Sequence, residues 1–216
     1  MADKKLLITR PRHDIVTFYL FKWSKALIEL AKDRNLEVVD LDKDKASRED
    51  FESYLDSTDP RLVVLNGHGG SSTVAGHEDE PILEAGDNEG KTKDRILYVR
   101  TCKSARRLGK TCVGEGDADA FIGYKGDFAL IRDSRKTSDP LNDETASPIM
   151  EASNKAPRQL IKGKKAENAY ISSQKAHTEK LREVISGYTL GKREIFNALA
   201  SNKENQTLIG NSDASL

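Results

Sequence analysis

The sequence predicts an α/β protein built on a mainly parallel sheet, and three observations carry that expectation. Short apolar runs of strand length alternate along the chain with stretches of helical periodicity. The run Leu62–Leu65 is apolar without interruption, as a strand covered on both faces must be. A chain of 216 residues can also bury about 70–75% of its unfolded surface, so one core can form without metals or disulfides. The expectation is one domain over 1–216, with a core at 5–131, a loop at 132–148, and C-terminal helices with a last short strand at 149–216.

Lys5–Thr9 reads as the first strand, closed by Arg10-Pro11-Arg12. From Ile15 to Asn35 the residues Phe18, Leu20, Phe21, Trp23, Leu27, Ile28, Leu30 and Ala31 recur at helical spacing. Leu36–Leu41 gives a second strand. Ser47 with Asp50 marks the start of a helix running through Leu55. Arg61–Asn66 is the third strand and stops at Gly67-His68-Gly69-Gly70. Residues 71–93 are polar and acidic and read as a loop. Arg95–Thr101 is a fourth strand ending at Cys102, followed by a helix over Ser104–Leu108, and Asp119–Tyr124 is a fifth strand. The Asp-, Ser-, Thr- and Pro-rich stretch Arg132–Pro148 is read as an exposed loop, with processing or activation one role open to it. Ile149–Ile161, Ala166–Ile185 and Arg193–Ala200 are expected helices, and Thr207–Gly210 is a last apolar piece.

Composition removes several function classes. Lys plus Arg equals Asp plus Glu at 35 each, and basic clusters are as short as Lys162-Gly163-Lys164-Lys165, so no nucleic-acid partner is expected. The longest apolar runs are far below the roughly 20 residues of a membrane helix, so no membrane association is expected. Met1–Lys5 leads straight into a strand without an apolar leader, and Cys102 and Cys112 make no disulfide framework; both features suit a cytoplasmic protein. No cofactor is called for. Asn66–Gly70 locally resembles a creatininase metal motif, but four histidines yield no convincing ligand set, so no metal is assigned. An α/β-hydrolase is disfavoured because no Gly-x-Ser-x-Gly elbow is present.

In a parallel α/β sheet the site lies beyond the carboxyl ends of the strands. His68 follows the third strand and Cys102 ends the fourth, so both belong to that edge. A cysteine becomes nucleophilic when a base or a helix N-terminus favours its thiolate, and both influences are open to Cys102. Glycines 67, 69 and 70 allow backbone N–H groups to approach a reacting carbonyl oxygen, and the N–H of Cys102 can join them. Taken singly, a strand-end cysteine is a packed thiol and Gly-His-Gly a tight turn; their joint placement is what points to acyl transfer. Cys112 is read as structural, His13 as a loop residue, His177 as a helix-surface residue, and His77 as at most a substrate contact.

The strand leading to Gly67-His68-Gly69, and the strand leading to Thr101-Cys102-Lys103-Ser104-Ala105, resemble the His-Gly and Cys elements of caspase-fold cysteine peptidases, including the gingipain, clostripain and CHAT branches. Asp117–Tyr124 resembles their next strand, and Leu208-Ile209-Gly210-Asn211 is similar to a gingipain-type ending from which Asn211 and Ser212 depart. The resemblance implies a caspase-like three-layer sandwich with helices on both faces of the sheet. It also implies a cysteine endopeptidase acting on protein or peptide substrates. His68 would be the general acid/base, Cys102 the nucleophile, and Gly69 with Cys102 the oxyanion donors. It requires no third orienting residue and leaves room for an activating protein.

Strand parity places Arg100 on the side of Cys102, at a position that lines the P1 pocket in caspase-fold enzymes. Arg10 and Arg12 close the first strand at the same edge, so the three arginines are candidate substrate-binding residues for an acidic P1 side chain. The alternative is that they pair with Asp117 or Asp119 or are solvated. The rival reading from another class is a catalytically idle caspase-fold adaptor or signalling module.

Overall fold

Apolar runs too short to satisfy their backbone alone pair into one sheet, and the amphipathic segments between them cover it. The computed structural model describes residues 4–187 and 191–216, so the lead-in Met1–Asp3 lies outside the described residues. In chain order the elements are β1 (Lys5–Arg10), α1 (Ile15–Asp33), β2 (Glu37–Asp42), α2 (Arg48–Thr58), β3 (Leu62–Asn66), β4 (Thr73–Ala75), β5 (Pro81–Glu84), β6 (Ile96–Arg100), α3 (Leu108–Gly114), β7 (Ala120–Tyr124), α4 (Ser147–Ser153), α5 (Lys155–Ile161), α6 (Ala166–Ser186), α7 (Lys192–Asn205) and β8 (Gln206–Gly210).

The six-stranded sheet runs β2-β1-β3-β6-β7-β8, parallel except for β8, which pairs antiparallel with β7. β4 and β5 form a separate antiparallel hairpin. Alternate strand residues point to opposite faces, so each face has its own core. Leu6, Ile8, Leu62, Val64, Ile96, Tyr98 and Ile122 pack against α1, α5 and the start of α6. Leu7, Val63, Leu65, Leu97, Val99 and Phe121 pack against α2, α3 and the hairpin. The result is the expected three-layer sandwich. A third apolar cluster joins α4, α6 and α7 to Phe128–Ile131 beyond the sheet edge. Among the described residues no helix is long and apolar enough to cross a membrane.

The order β2-β1-β3 means that the chain leaves β1 in one direction and later returns on its other side. α1 and α2 therefore cover opposite faces, and the carboxyl ends of β1 and β3 form the topological switch point, the place where α/β sheets hold their sites. The segments Arg10–Asp14 and Gly67–Gly70 lie at those two ends.

The structure differs from the sequence reading in five places. Residues 71–93 contain the β4–β5 hairpin, whose Val74, Ile82 and Leu83 are buried. Ser104–Leu108 is not a helix: the chain turns from Thr101 to Arg107, tied by Lys103 N–H to Gly126 O and Ala105 N–H to Tyr124 O, and α3 starts only at Leu108. The expected helix 149–161 is two helices broken at Asn154. Pro157 has no N–H to offer the Ser153 carbonyl, which accepts instead from Tyr98 OH at 2.7 Å. The stretch 132–148 is only partly exposed: Asp143 is buried, accepting from Tyr19 OH (2.6 Å) and from the N–H groups of Asp133, Thr145 and Ala146. His177 lies buried within α6 rather than on its surface, because that helix packs against apolar clusters on more than one side.

Candidate active site

β3 and β6 are paired so that every partner lies 34 positions away, from Leu62↔Ile96 to Asn66↔Arg100. His68 and Cys102 have the same separation, each two residues past the last pair, so the sheet delivers them to neighbouring strand ends. Below them the strand ends are locked by buried polar groups. Asn66 donates its backbone N–H to Thr9 Oγ1 (3.0 Å) and Nδ2 to the Thr9 carbonyl (2.8 Å), and its Oδ1 accepts from Arg100 Nε (3.1 Å). Arg100 continues to Ser153 Oγ (3.0 Å) and Asn154 Oδ1 (2.9 Å). These bonds tie β1, β3, β6 and the α4–α5 junction into one rigid base.

Gly67 has φ +153°, and a Cβ there would lie 2.2 Å from the Ala75 carbonyl oxygen, so only glycine lets the chain turn into the His68 loop beside the hairpin. The loop is then clamped by Ala75 N–H to His68 O and Gly70 N–H to Thr73 O, both 2.9 Å. Gly69, between these bonds, has its own N–H uncommitted to other described residues, as has Cys102. A Cβ on Gly69 would lie 3.0 Å from the Thr101 side chain, so the two free N–H groups belong to segments in close contact.

His68 keeps 36% side-chain exposure, and its Nε2 lies 2.6 Å from Asp14 Oδ2. Asp14 is the N-cap of α1: its Oδ1 accepts from the Thr17 N–H (2.7 Å) and hydroxyl (2.8 Å). Desolvation raises the Asp14 pKa, but hydrogen bonds from Thr17 and His68 outweigh it and hold the carboxyl down at about 2. An ionised carboxylate at Nε2 fixes that nitrogen as the donor, which leaves Nδ1 of the neutral ring as the basic site. No signal along the chain marked this role, because Asp14 reads as an ordinary helix cap and lies 54 positions from its partner.

Cys102 is half-buried and not bonded within a disulfide. Desolvation is the largest influence on its thiol and raises the pKa. The Phe128 N–H opposes that shift, and Asp127 adds to it. The structure therefore corrects the expectation of a helix N-terminus: α3 begins six residues later, and burial favours the thiol over the thiolate. Cys112, in contrast, is fully buried in α3 and pushed up to about 12 by desolvation, as its structural reading requires.

The three arginines part company. Arg10 is buried, with Nε and Nη2 on the two oxygens of Asp40 (2.7 and 2.5 Å) and Nη1 on Phe21 O. Arg100 is fully buried under the strand ends, bonded to neutral groups only. Neither offers its guanidinium to solvent. Neither pairs with Asp117 or Asp119, and Asp119 is held by Arg61. Arg12 alone is exposed, its guanidinium stacked 4.7 Å from the Phe18 ring centroid.

Histidines that the sequence scatters also converge here. The His13 ring lies 5.9 Å from His68 and 5.5 Å from His77, centroid to centroid, and His13 Nε2 is 3.3 Å from Asp79 Oδ1.

No protein-family model matches the sequence, and no curated protein matches it. Solved structures do. The arginine-specific cysteine proteinase gingipain R aligns at a TM-score of 0.64 with 10% identity, over 99% of this chain and 47% of that one. A chain described only as a protease aligns at 0.63 with 14% identity, over 99% and 48%. The complex of Porphyromonas gingivalis RgpB pro- and mature domains aligns at 0.58 with 7% identity, over 98% and 48%. The chain thus spans about half the length of the structures it matches. At these identities the likeness is one of fold, and that fold, a parallel sheet between helices with its loops at one edge, is the caspase-like fold of gingipain-type cysteine proteinases.

Proposed function

We propose that this chain is a cysteine endopeptidase in which Cys102 is the nucleophile and His68 the general acid/base. The observation that carries the reading is the shared register offset, which brings His68 and Cys102 to adjacent strand ends with Asp14 holding the imidazole. In this mechanism His68 Nδ1 takes the Cys102 proton as sulfur attacks the substrate carbonyl carbon. The developing oxyanion accepts from the N–H groups of Gly69 and Cys102. The proton then passes to the leaving amine as the C–N bond breaks. Water, deprotonated by the same nitrogen, hydrolyses the thioester and restores the thiol.

Asp14 acts as a positioning residue: it fixes the tautomer and stabilises the imidazolium that forms in each half-reaction. Because burial favours the thiol in the resting state, His68 takes the proton as the sulfur attacks an electrophile rather than beforehand; an activating protein partner is part of this reading. The preference for an acidic P1 residue rests on Arg12, the exposed arginine at this edge. A cytoplasmic site of action is favoured by two cysteines that stay unpaired.

The test is a library of peptidyl acyloxymethyl ketones varied at P1, incubated with wild type and Cys102→Ala and read by mass mapping. The reading requires a covalent adduct on Cys102 with Asp or Glu best at P1. Preference for Lys or Arg overturns the acidic pocket. Absence of any adduct, with or without candidate activating proteins, overturns the peptidase and leaves the idle adaptor module.

A further inference from the structure

Three of the four histidines of the chain gather beyond the carboxyl ends of β1 and β3, far more than a general base needs. One ligand atom each from His13, Asp14 and His68 lie within 4.8 Å of one another. Around a tetrahedral zinc ion with bonds of about 2.0–2.2 Å, donors sit about 3.4 Å apart, so side-chain rotation of about an ångström closes the set. A second observation points the same way. His13 Nδ1 is buried and has no hydrogen-bond partner among the described residues, and the His13 side chain keeps only 13% exposure. A buried imidazole nitrogen without a partner is costly unless something binds it.

We propose that His13, Asp14 and His68 form a binding site for a divalent transition-metal ion of the zinc class, and that occupancy reversibly disables the His68 base. Two imidazoles with one carboxylate suit zinc or copper, whereas calcium and magnesium prefer oxygen donors alone. Three protein ligands leave a fourth position for water. Asp14 can serve through Oδ2 while Oδ1 continues to cap α1.

The consequence follows from proton placement. Without metal, Nε2–H of His68 donates to Asp14 and Nδ1 is basic. For metal to enter between Nε2 and Oδ2, the single ring proton first moves through solvent from Nε2 to Nδ1, which frees the Nε2 lone pair. That lone pair then replaces one of the metal's own aqua ligands. The imidazole stays neutral with one proton throughout, but Nδ1 no longer has a lone pair for the Cys102 proton. Binding rests on the histidine geometry alone; the loss of turnover rests on the peptidase reading.

The experiment titrates the metal-free full chain with Co²⁺, followed by visible absorption, and with Zn²⁺, followed by calorimetry and thermal melting. Iodoacetamide labelling of Cys102 is measured with and without Zn²⁺. The expected result is one equivalent bound with a four-coordinate Co²⁺ spectrum, a raised Tm with Zn²⁺, and at least about tenfold weaker binding in His13→Gln. Binding in Cys102→Ala should be unchanged, and Zn²⁺ should slow Cys102 labelling in wild type. No stoichiometric binding, full-strength binding in His13→Gln with its fold intact by circular dichroism, or loss of binding in Cys102→Ala each overturns the site. If metal binds as stated but metal-free Cys102 reacts no faster than Cys112 in unfolded protein, the site stands and the switch falls with the peptidase reading.

Discussion

Cys102 and Cys112 occupy two regions separated by a few turns of chain, and burial raises the pKa of both. Cys112 belongs to an apolar cluster with Leu97, Leu108 and Phe121 and is wholly excluded from solvent, with Thr92 a polar side chain that reaches its thiol. Around Cys102 the sheet has ended. The backbone turns through Lys103 at φ +58°, the Cys102 N–H is uncommitted to other described residues, and the Phe128 N–H and the Asp127 carboxylate act on the sulfur. Residue type alone therefore decides nothing here. What separates a structural thiol from a candidate nucleophile is that one lies inside a layer and the other beyond the carboxyl end of a strand, next in the sheet to the strand that ends at His68.

The sharpest way to break this contrast is to exchange the two sulfurs in turn. Cys102→Ala should lower peptide turnover by about 10³-fold or more while leaving thermal stability nearly unchanged. Cys112→Ser should do the reverse: turnover within about threefold, but a loss of about 1–3 kcal/mol in denaturant titration because a hydroxyl replaces a sulfur in an apolar layer. Equal effects on turnover would remove the distinction.

Asp14→Asn tests the side of the contrast that belongs to His68. Asparagine caps a helix as well as aspartate, so stability at neutral pH should fall only modestly, while turnover should fall by about 10–10²-fold as the tautomer is freed. Because hydrogen bonds hold the folded Asp14 pKa at about 2, below its ordinary 3.8, the carboxylate stabilises the protein above pH 3.8. That contribution is lost as pH falls through about 2. Thermal melts of wild type and Asp14→Asn should accordingly differ at pH 6 and converge near pH 2; a constant gap would show that the carboxylate is not held as described.

The arginines give the smallest and most selective effects. Arg100→Leu strands the acceptors of Asn66, Ser153 and Asn154 and should cost about 2–4 kcal/mol in denaturant titration without altering P1 preference. Arg12→Glu should leave stability within about 0.5 kcal/mol and shift P1 preference a few-fold away from acidic residues. A P1 change in Arg100→Leu rather than Arg12→Glu would reassign the pocket.

The layers of the fold are legible in the sequence because period and length are local signals. α1 was readable from its apolar spacing, and β3 and β6 from unbroken runs bounded by polar residues. The edge rule likewise assigns His68 and Cys102 to strand ends, and β3 and β6 are neighbours in the sheet. Tertiary choices were not readable. The hairpin hid because few residues of a polar stretch, Val74, Ile82 and Leu83 with Ala85 beside them, meet the core. The parity argument for Arg100 could not see that the α4–α5 junction covers that residue and buries it. Asp14, His13 and His77 were invisible as a group because nothing in their spacing records that β1 and β3 become neighbours.

The most direct measurement is the rate of Cys102 alkylation by iodoacetamide from pH 5 to 9, mapped by mass spectrometry against Cys112, in wild type and His68→Ala. The dyad predicts selective labelling of Cys102, with a rate that falls by about tenfold or more in His68→Ala. Identical Cys102 rates in the two proteins at every pH would contradict it, leaving a caspase-like sheet whose edge carries a thiol and an imidazole that do not work together.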